Sequence, residues 1–488
     1  MRKKIDEQER KEAAKRMGER EEGRGAELRQ ICSRSPRIAR ALESLHPPRE
    51  DTMAEIGSYV LAPALGSFVQ WLLHEALKSG KQRLYFLARD GYFPYRAAQL
   101  LCKRRKLPIE CRYLSCSRYS LRLPVFHLDK EAALDYICRG GTDSTVEKLL
   151  RRAGLTKTER REVLQCLSLP FSPEDPASRA ELPEIRHRLS KCGVFLAYME
   201  KHSREAMSGL AGYLRQEGLL DSVPDAVVDS GWVGTMQKTL GDVLAYMGRT
   251  RPVEGYYWGM YDLPCGIVRE SYHTYYFRPE GNLREKIYFN NCLFEAVYTA
   301  PHGMTVSYRK EGEQYIPCYG YMGEEQKVFL KKIEGLLLPY IRQLAETENP
   351  SIDEEALCKD RKVIRSLFSL FMGRPSAREA EVFGSLRFSE DVLEGGERPI
   401  AAPLTEKELS AQHFFSKILW LSGIRRGKKG KPRESAWYEG SVVLCGKHIR
   451  HHLMHIVGII FGNFTVLIIC QSKLVIFCTV NHSLLNRR

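Results

Sequence analysis

A chain of 488 residues, 43% hydrophobic and 28% charged, has apolar material for two or three domains or for one large domain with insertions, and its composition excludes the disordered and fibrous classes. Its net charge of +15 favours anionic partners such as nucleotide-sugars, phosphosugars, nucleic acid or an acidic membrane face, without choosing among them. Fourteen scattered cysteines show no CxxC spacing that suggests zinc or a redox motif, so a reducing compartment is expected, and the opening Met1-Arg2-Lys3-Lys4-Ile5-Asp6 leads into glutamate and lysine rather than a secretory apolar run.

Residues 1–29 are rich in Glu, Lys and Arg with few apolar positions, which predicts a solvated helix or a disordered arm. Residues 54–77 carry helical periodicity, interrupted at Pro63 and ended by Ser79-Gly80. The apolar strand Leu84-Tyr85-Phe86-Leu87 then closes on Ala88-Arg89-Asp90-Gly91 and leads to a helix over 95–106, a strand Glu110-Cys111-Arg112-Tyr113-Leu114 and a turn Ser115-Cys116-Ser117-Arg118. Residues 130–219 read as helices broken at Gly140-Gly141, Pro170 and Pro176, a helical insertion ahead of a second strand, Ala226-Val227-Val228-Asp229. That strand runs through Ser230-Gly231-Trp232-Val233-Gly234-Thr235 into a helix from Met236 onward. Two aromatic strands follow, over 253–260 and 273–277, then helices over 324–347 and 354–371.

A basic, glycine-containing loop spans 423–433, and residues 453–470 carry no Asp, Glu, Lys or Arg. This tail reads as a membrane anchor, a buried strand pair or an extension unrelated to the fold. The expected fold is α/β, an open, mostly parallel sheet with a helical insertion and a mainly helical C-terminal part. The expected divisions are an arm over 1–50, an α/β domain over 51–320, a helical region over 321–445 and the tail over 446–488.

Ligands of open α/β sheets bind beyond the carboxyl ends of the strands, which makes Asp90 and Asp229 the leading catalytic and metal-binding candidates, with Mg²⁺ between them. Arg89 could hold a phosphate oxygen beside Asp90, or form an internal ion pair with it. Gly231, Gly234 and Thr235 could offer amides to an anion, with Thr235 as helix N-cap, or simply make a tight strand-to-helix turn. Ser117 and Arg118 suit phosphate as well as they suit a structural turn. Glu295, in an apolar stretch, could be raised in pKa for acid/base work, or face solvent or a backbone amide. His448, His451, His452 and His455, at helical spacing, could bind a transition metal.

Phe86-Leu87-Ala88-Arg89-Asp90-Gly91, Ser117-Arg118, Val228-Asp229-Ser230-Gly231-Trp232-Val233-Gly234-Thr235, Glu254-Gly255-Tyr256-Tyr257-Trp258-Gly259 and Trp437-Tyr438-Glu439-Gly440-Ser441, in that order, resemble bacterial haloacid dehalogenase-like (HAD) hydrolases associated with surface-polysaccharide biosynthesis. The resemblance covers roughly 54–442 and matches the region that follows the HAD unit in longer relatives. No DxD stands in the chain, so the aspartyl-phosphate route of HAD phosphatases is not implied. With this resemblance the expected function is binding of a phosphorylated sugar or nucleotide-sugar in surface-glycan assembly, with phosphoryl or glycosyl chemistry that the paired carboxylates make Mg²⁺-dependent, in a cytoplasmic compartment suggested by the cysteine usage. The alternative is a non-catalytic module that recruits or regulates a glycosyltransferase. Membrane contact through the basic loop and tail is compatible with either. A weaker likeness, of Val227 through Thr235 to the ribose-phosphate loop of phosphoribosyltransferases, lacks the adjacent acidic pair.

Overall fold

The computed structural model describes residues 23–45, 51–139, 145–167, 169, 172–175, 177, 181–347, 353–388, 398–411 and 435–446. The basic loop, the four spaced histidines and the tail lie outside the described residues.

Five strands, β1 (Arg83–Leu87), β2 (Glu110–Leu114), β3 (Asp225–Trp232), β4 (Gly255–Met260) and β5 (Tyr272–Phe277), form one sheet in the order β2-β1-β3-β4-β5. Every neighbouring pair is parallel, as the near-continuous burial of β1 and β4 requires of strands covered on both faces. Leu84 pairs with Ala226 and Phe86 with Val228, so β1 and β3 lie side by side although a long helical insertion separates them in the chain. The strand order turns back between β1 and β3, and this reversal opens a crevice at their carboxyl ends.

The helices that cover the sheet are α1 (Thr52–Lys78), α2 (Tyr92–Arg105), α3 (Gly193–Gln216), α4 (Thr235–Tyr246), α5 (Asn291–Tyr298), α6 (Glu324–Thr347) and α7 (Glu354–Phe371). Alternation along the strands divides their side chains between two faces. Leu84, Phe86, Val228 and Trp258 pack with α1, α2, α5, α6 and α7 in the largest core. Tyr85, Leu87 and Val227 pack on the other face with the end of α3 and with α4. Between β2 and β3 the helical insertion has a core of its own, built from Leu134, Val146, Leu150, Val163, Ile185 and Phe195. An antiparallel hairpin, β6 (Thr305–Glu311) and β7 (Gln314–Tyr319), lies on α3, where the Tyr213 and Tyr308 rings stack at 4.6 Å.

Three expectations change. Pro63 does not interrupt α1: a π-helical stretch, Gly57–Leu61, ends two residues before it, and the helix continues through it. Although α1 is long and apolar enough to cross a membrane, 94% of its most apolar 18-residue window is buried in the protein. The charged N-terminal segment is not solvated throughout, because helix Arg24–Cys32 buries Leu28, Ile31 and Cys32 in the largest core while Arg24 pairs with Glu379 at 2.7 Å. The helices α6 and α7 share that core with the sheet and form one of its covering layers.

Candidate functional site

Asp90 follows β1 in a tight turn. The Gly91 amide donates to the Leu87 carbonyl at 2.9 Å and the Tyr92 amide to the Arg89 carbonyl at 3.1 Å, so α2 starts at Tyr92, three residues before the sequence suggests. Glycine is required at 91 by close approach: a Cβ there would lie 2.5 Å from the Leu87 carbonyl oxygen. The Ala88–Arg89 peptide in this turn is cis. Asp229 lies inside β3, opposite Tyr257 of β4. The next residue, Ser230, donates its hydroxyl to the Asp90 carboxylate and so joins the two strand ends.

A third carboxyl comes from α5. Asn290 caps that helix by accepting from the Leu293 amide at 2.8 Å, and Glu295 points back to the sheet, where the Trp232 indole N–H donates to it. Glu295 therefore bonds to an indole, neither to solvent alone nor to a backbone amide.

Burial raises the pKa of all three carboxyls, because surrounding protein penalises their charged forms. Asp229 is pushed up to about 8, by burial first and the neighbouring Asp90 charge second. Glu295 is pushed up to about 7, again by burial and then by Asp90. Asp90 is raised by burial, against the Ser230 hydroxyl and the Arg89 and Arg118 charges, which favour its ionised form. Each of the three residues keeps part of its surface open. Arg118 opens the short helix Arg118–Arg122 after β2; it is exposed and makes no hydrogen bond or ion pair among the described residues, yet its charge acts on all three carboxyls. Half-buried Arg89 acts on Asp90 and Glu295.

The structure thus brings Asp90, Asp229, Glu295, Arg89 and Arg118 within one electrostatic neighbourhood. It withdraws Ser117, whose hydroxyl is buried, donates to the Thr305 carbonyl at 2.7 Å and accepts from the Ser120 amide at 3.0 Å as a helix cap, leaving no donor for phosphate. Thr235 is not the N-cap of α4; Gly234 occupies that position in the left-handed region at φ 61°, and no side chain caps the helix. Gly231, at φ 108°, would carry a Cβ 2.5 Å from the Gly259 carbonyl oxygen, so close packing against β4 accounts for it. A Cβ on Gly234 would likewise meet the Tyr272 ring at 2.5 Å. Close packing thus accounts for both glycines.

Sequence reasoning passed over Ser230 and Trp232 as site residues, and also the aromatic wall made by Tyr113, His302 and Tyr319. His302 donates from Nδ1 to the Gly303 carbonyl at 2.8 Å, so its Nε2 accepts from the Tyr113 hydroxyl at 2.8 Å. Burial lowers the His302 pKa and keeps the ring neutral, with the Arg89 charge acting in the same sense. The Tyr319 ring lies 4.3 Å from it, and the Tyr319 hydroxyl bonds to Ser115 at 2.7 Å.

Among the described residues no group of three or more His, Cys, Asp and Glu side chains is placed to hold a metal ion. The Asp90 and Asp229 pair offers two carboxylates, which suits Mg²⁺, a cation that keeps several waters and commonly takes one or two protein carboxylates. A cation there would also relieve the mutual repulsion that raises Asp229. No protein-family model matches the chain, and no curated protein matches it.

Proposed function

We propose that the protein binds a phosphorylated sugar or nucleotide-sugar at the carboxyl ends of β1 and β3 and carries out Mg²⁺-dependent phosphoryl or glycosyl chemistry in bacterial surface-polysaccharide biosynthesis. The observation that carries the reading is an exposed guanidinium, Arg118, free of protein partners among the described residues and acting on three partly open carboxyls at a strand-order reversal. Arg118 would take the phosphate, while Asp90 and Asp229 would hold the cation, which supplies charge neutralisation for phosphate oxygens. Glu295, with its pKa near 7, would move a proton to or from a substrate hydroxyl at neutral pH. The polysaccharide assignment rests on the HAD-like resemblance, and the chemistry does not require a DxD nucleophile.

The test is a melting-temperature panel of sugar phosphates and nucleotide-sugars, with and without Mg²⁺. A true ligand at about 100 times its Kd should stabilise the fold by about 2.7 kcal/mol. That stabilisation should need Mg²⁺ and disappear in Asp90→Asn. Full binding by both Asp90→Asn and Asp229→Asn would sink the site.

A further inference from the structure

Away from the acidic site, Cys102 near the end of α2 and Cys111 on β2 bring their sulfurs to 3.9 Å, one thiol hydrogen-bonded to the other. Both line a cleft of about 560 Å³ between α2 and α6, with Leu107, Ile109 and Leu338 as apolar walls. Its polar rim is cationic, formed by Arg96, Lys103 and Arg342. Arg96 is paired with Glu334 at 2.8 Å, whereas Lys103 and Arg342 are exposed and make no hydrogen bond or ion pair among the described residues. The hydrogen bond between the two thiols and, less strongly, the Arg105 charge favour a thiolate at Cys102, against the opposing effect of burial. Two thiols at this separation beside an open cleft can serve as a nucleophile and its resolving partner.

We propose that Cys102 and Cys111 form a thiol–disulfide exchange site for an anionic, low-molecular-weight disulfide, drawn to the cleft by Lys103 and Arg342. The Cys102 thiolate attacks one sulfur of the small disulfide; a mixed disulfide forms, the original S–S bond breaks and one small thiolate leaves. Cys111 loses its proton and attacks the Cys102 sulfur, the Cys102–Cys111 bond forms, and the second small thiolate leaves. Two electrons pass from the protein dithiol to the small disulfide, and the protons released by the two cysteines end on the two departing thiols. The pair escapes motif reading because its members sit on a helix and the following strand, nine residues apart, rather than in a CxxC turn.

The experiment treats the reduced full-length chain with oxidised glutathione, which is anionic, and in parallel with cystamine, a cationic disulfide. Peptide mapping should find a Cys102–Cys111 link, Cys111→Ser should retain one glutathionyl group on Cys102, and Cys102→Ser should form neither. The double variant Lys103→Glu, Arg342→Glu should slow the glutathione reaction by about tenfold while leaving the cystamine rate equal or faster. If any serine variant loses its cooperative melt, the alanine variant replaces it. The proposal is overturned if glutathione modifies only exposed thiols such as Cys166 and Cys265. Equal rates for the two reagents, unaltered by the charge reversals, would overturn the selection for anions.

Discussion

Asp229 makes the stability of the protein depend on pH in a direction unusual for a carboxylate. The unfolded chain ionises it near the ordinary 3.8, whereas the folded site keeps its proton to about 8. Folding therefore takes up a proton between those values, and stability falls as pH rises through that window before levelling above it. Asp229→Asn keeps the shape and removes the slope. It should gain on the wild type by more than ~1 kcal/mol between about pH 5 and pH 9, read from urea melts at each pH. Arg118→Ala should weaken a phosphorylated ligand by about 1.5–3 kcal/mol and spare its unphosphorylated analogue, because only the charge-assisted bond is lost. Titration of both ligands decides it; equal weakening would return Arg118 to a structural role. The two aspartates were legible because each ends an apolar run at a glycine turn. Their partners were not, since Ser230 reaches Asp90 across 140 residues and Trp232 reaches Glu295 across 63.

Among the elements, the turn between β1 and α2 depends most sharply on one position. Gly91→Ala should cost about 1–3 kcal/mol, because its Cβ would meet the backbone of β1 and cannot be absorbed by a side-chain rotation. Gly335→Ala, within α6 and with no neighbour in reach of a new Cβ, should instead gain about 0.5–1 kcal/mol. Chemical denaturation of the two variants separates the cases, and similar losses in both would count against the turn geometry. The helices α6 and α7 matched their sequence periodicity because each buries a single apolar stripe, and an aspartate at 353 caps α7 by accepting from the Glu355 amide at 3.0 Å. Ser117 could not be settled from the sequence because serine serves equally as a phosphate donor and as a cap, and the Thr305 carbonyl that decides between them lies on the hairpin, 188 residues away.

At the scale of the molecule, the layer over one face of the sheet is drawn from both ends of the chain. Helices Arg24–Cys32 and Thr52–Lys78 meet α6 and α7 in a single core, and Trp437 seals the far side, fully buried with its indole N–H on the Met372 carbonyl at 2.8 Å. A chain ending at Gly446 should therefore keep a cooperative melt and its ligand response. One ending at Ala411 loses Trp437, Tyr438 and Val442 from the core and should be destabilised by at least ~3–5 kcal/mol, measured by urea unfolding. If instead the longer product fails to melt cooperatively, residues beyond Gly446 belong to the fold. That layering also sets an order for biosynthesis. The last strand of the five-stranded sheet is made by Phe277, but α7 is complete only at Phe371, a gap of roughly 5–20 s at ordinary rates of synthesis. Throughout that interval β1 and β3, with Asp90 and Asp229, are already made while Leu84, Phe86 and Trp258 still lack their final cover, so what needs guarding during synthesis is the back of the sheet.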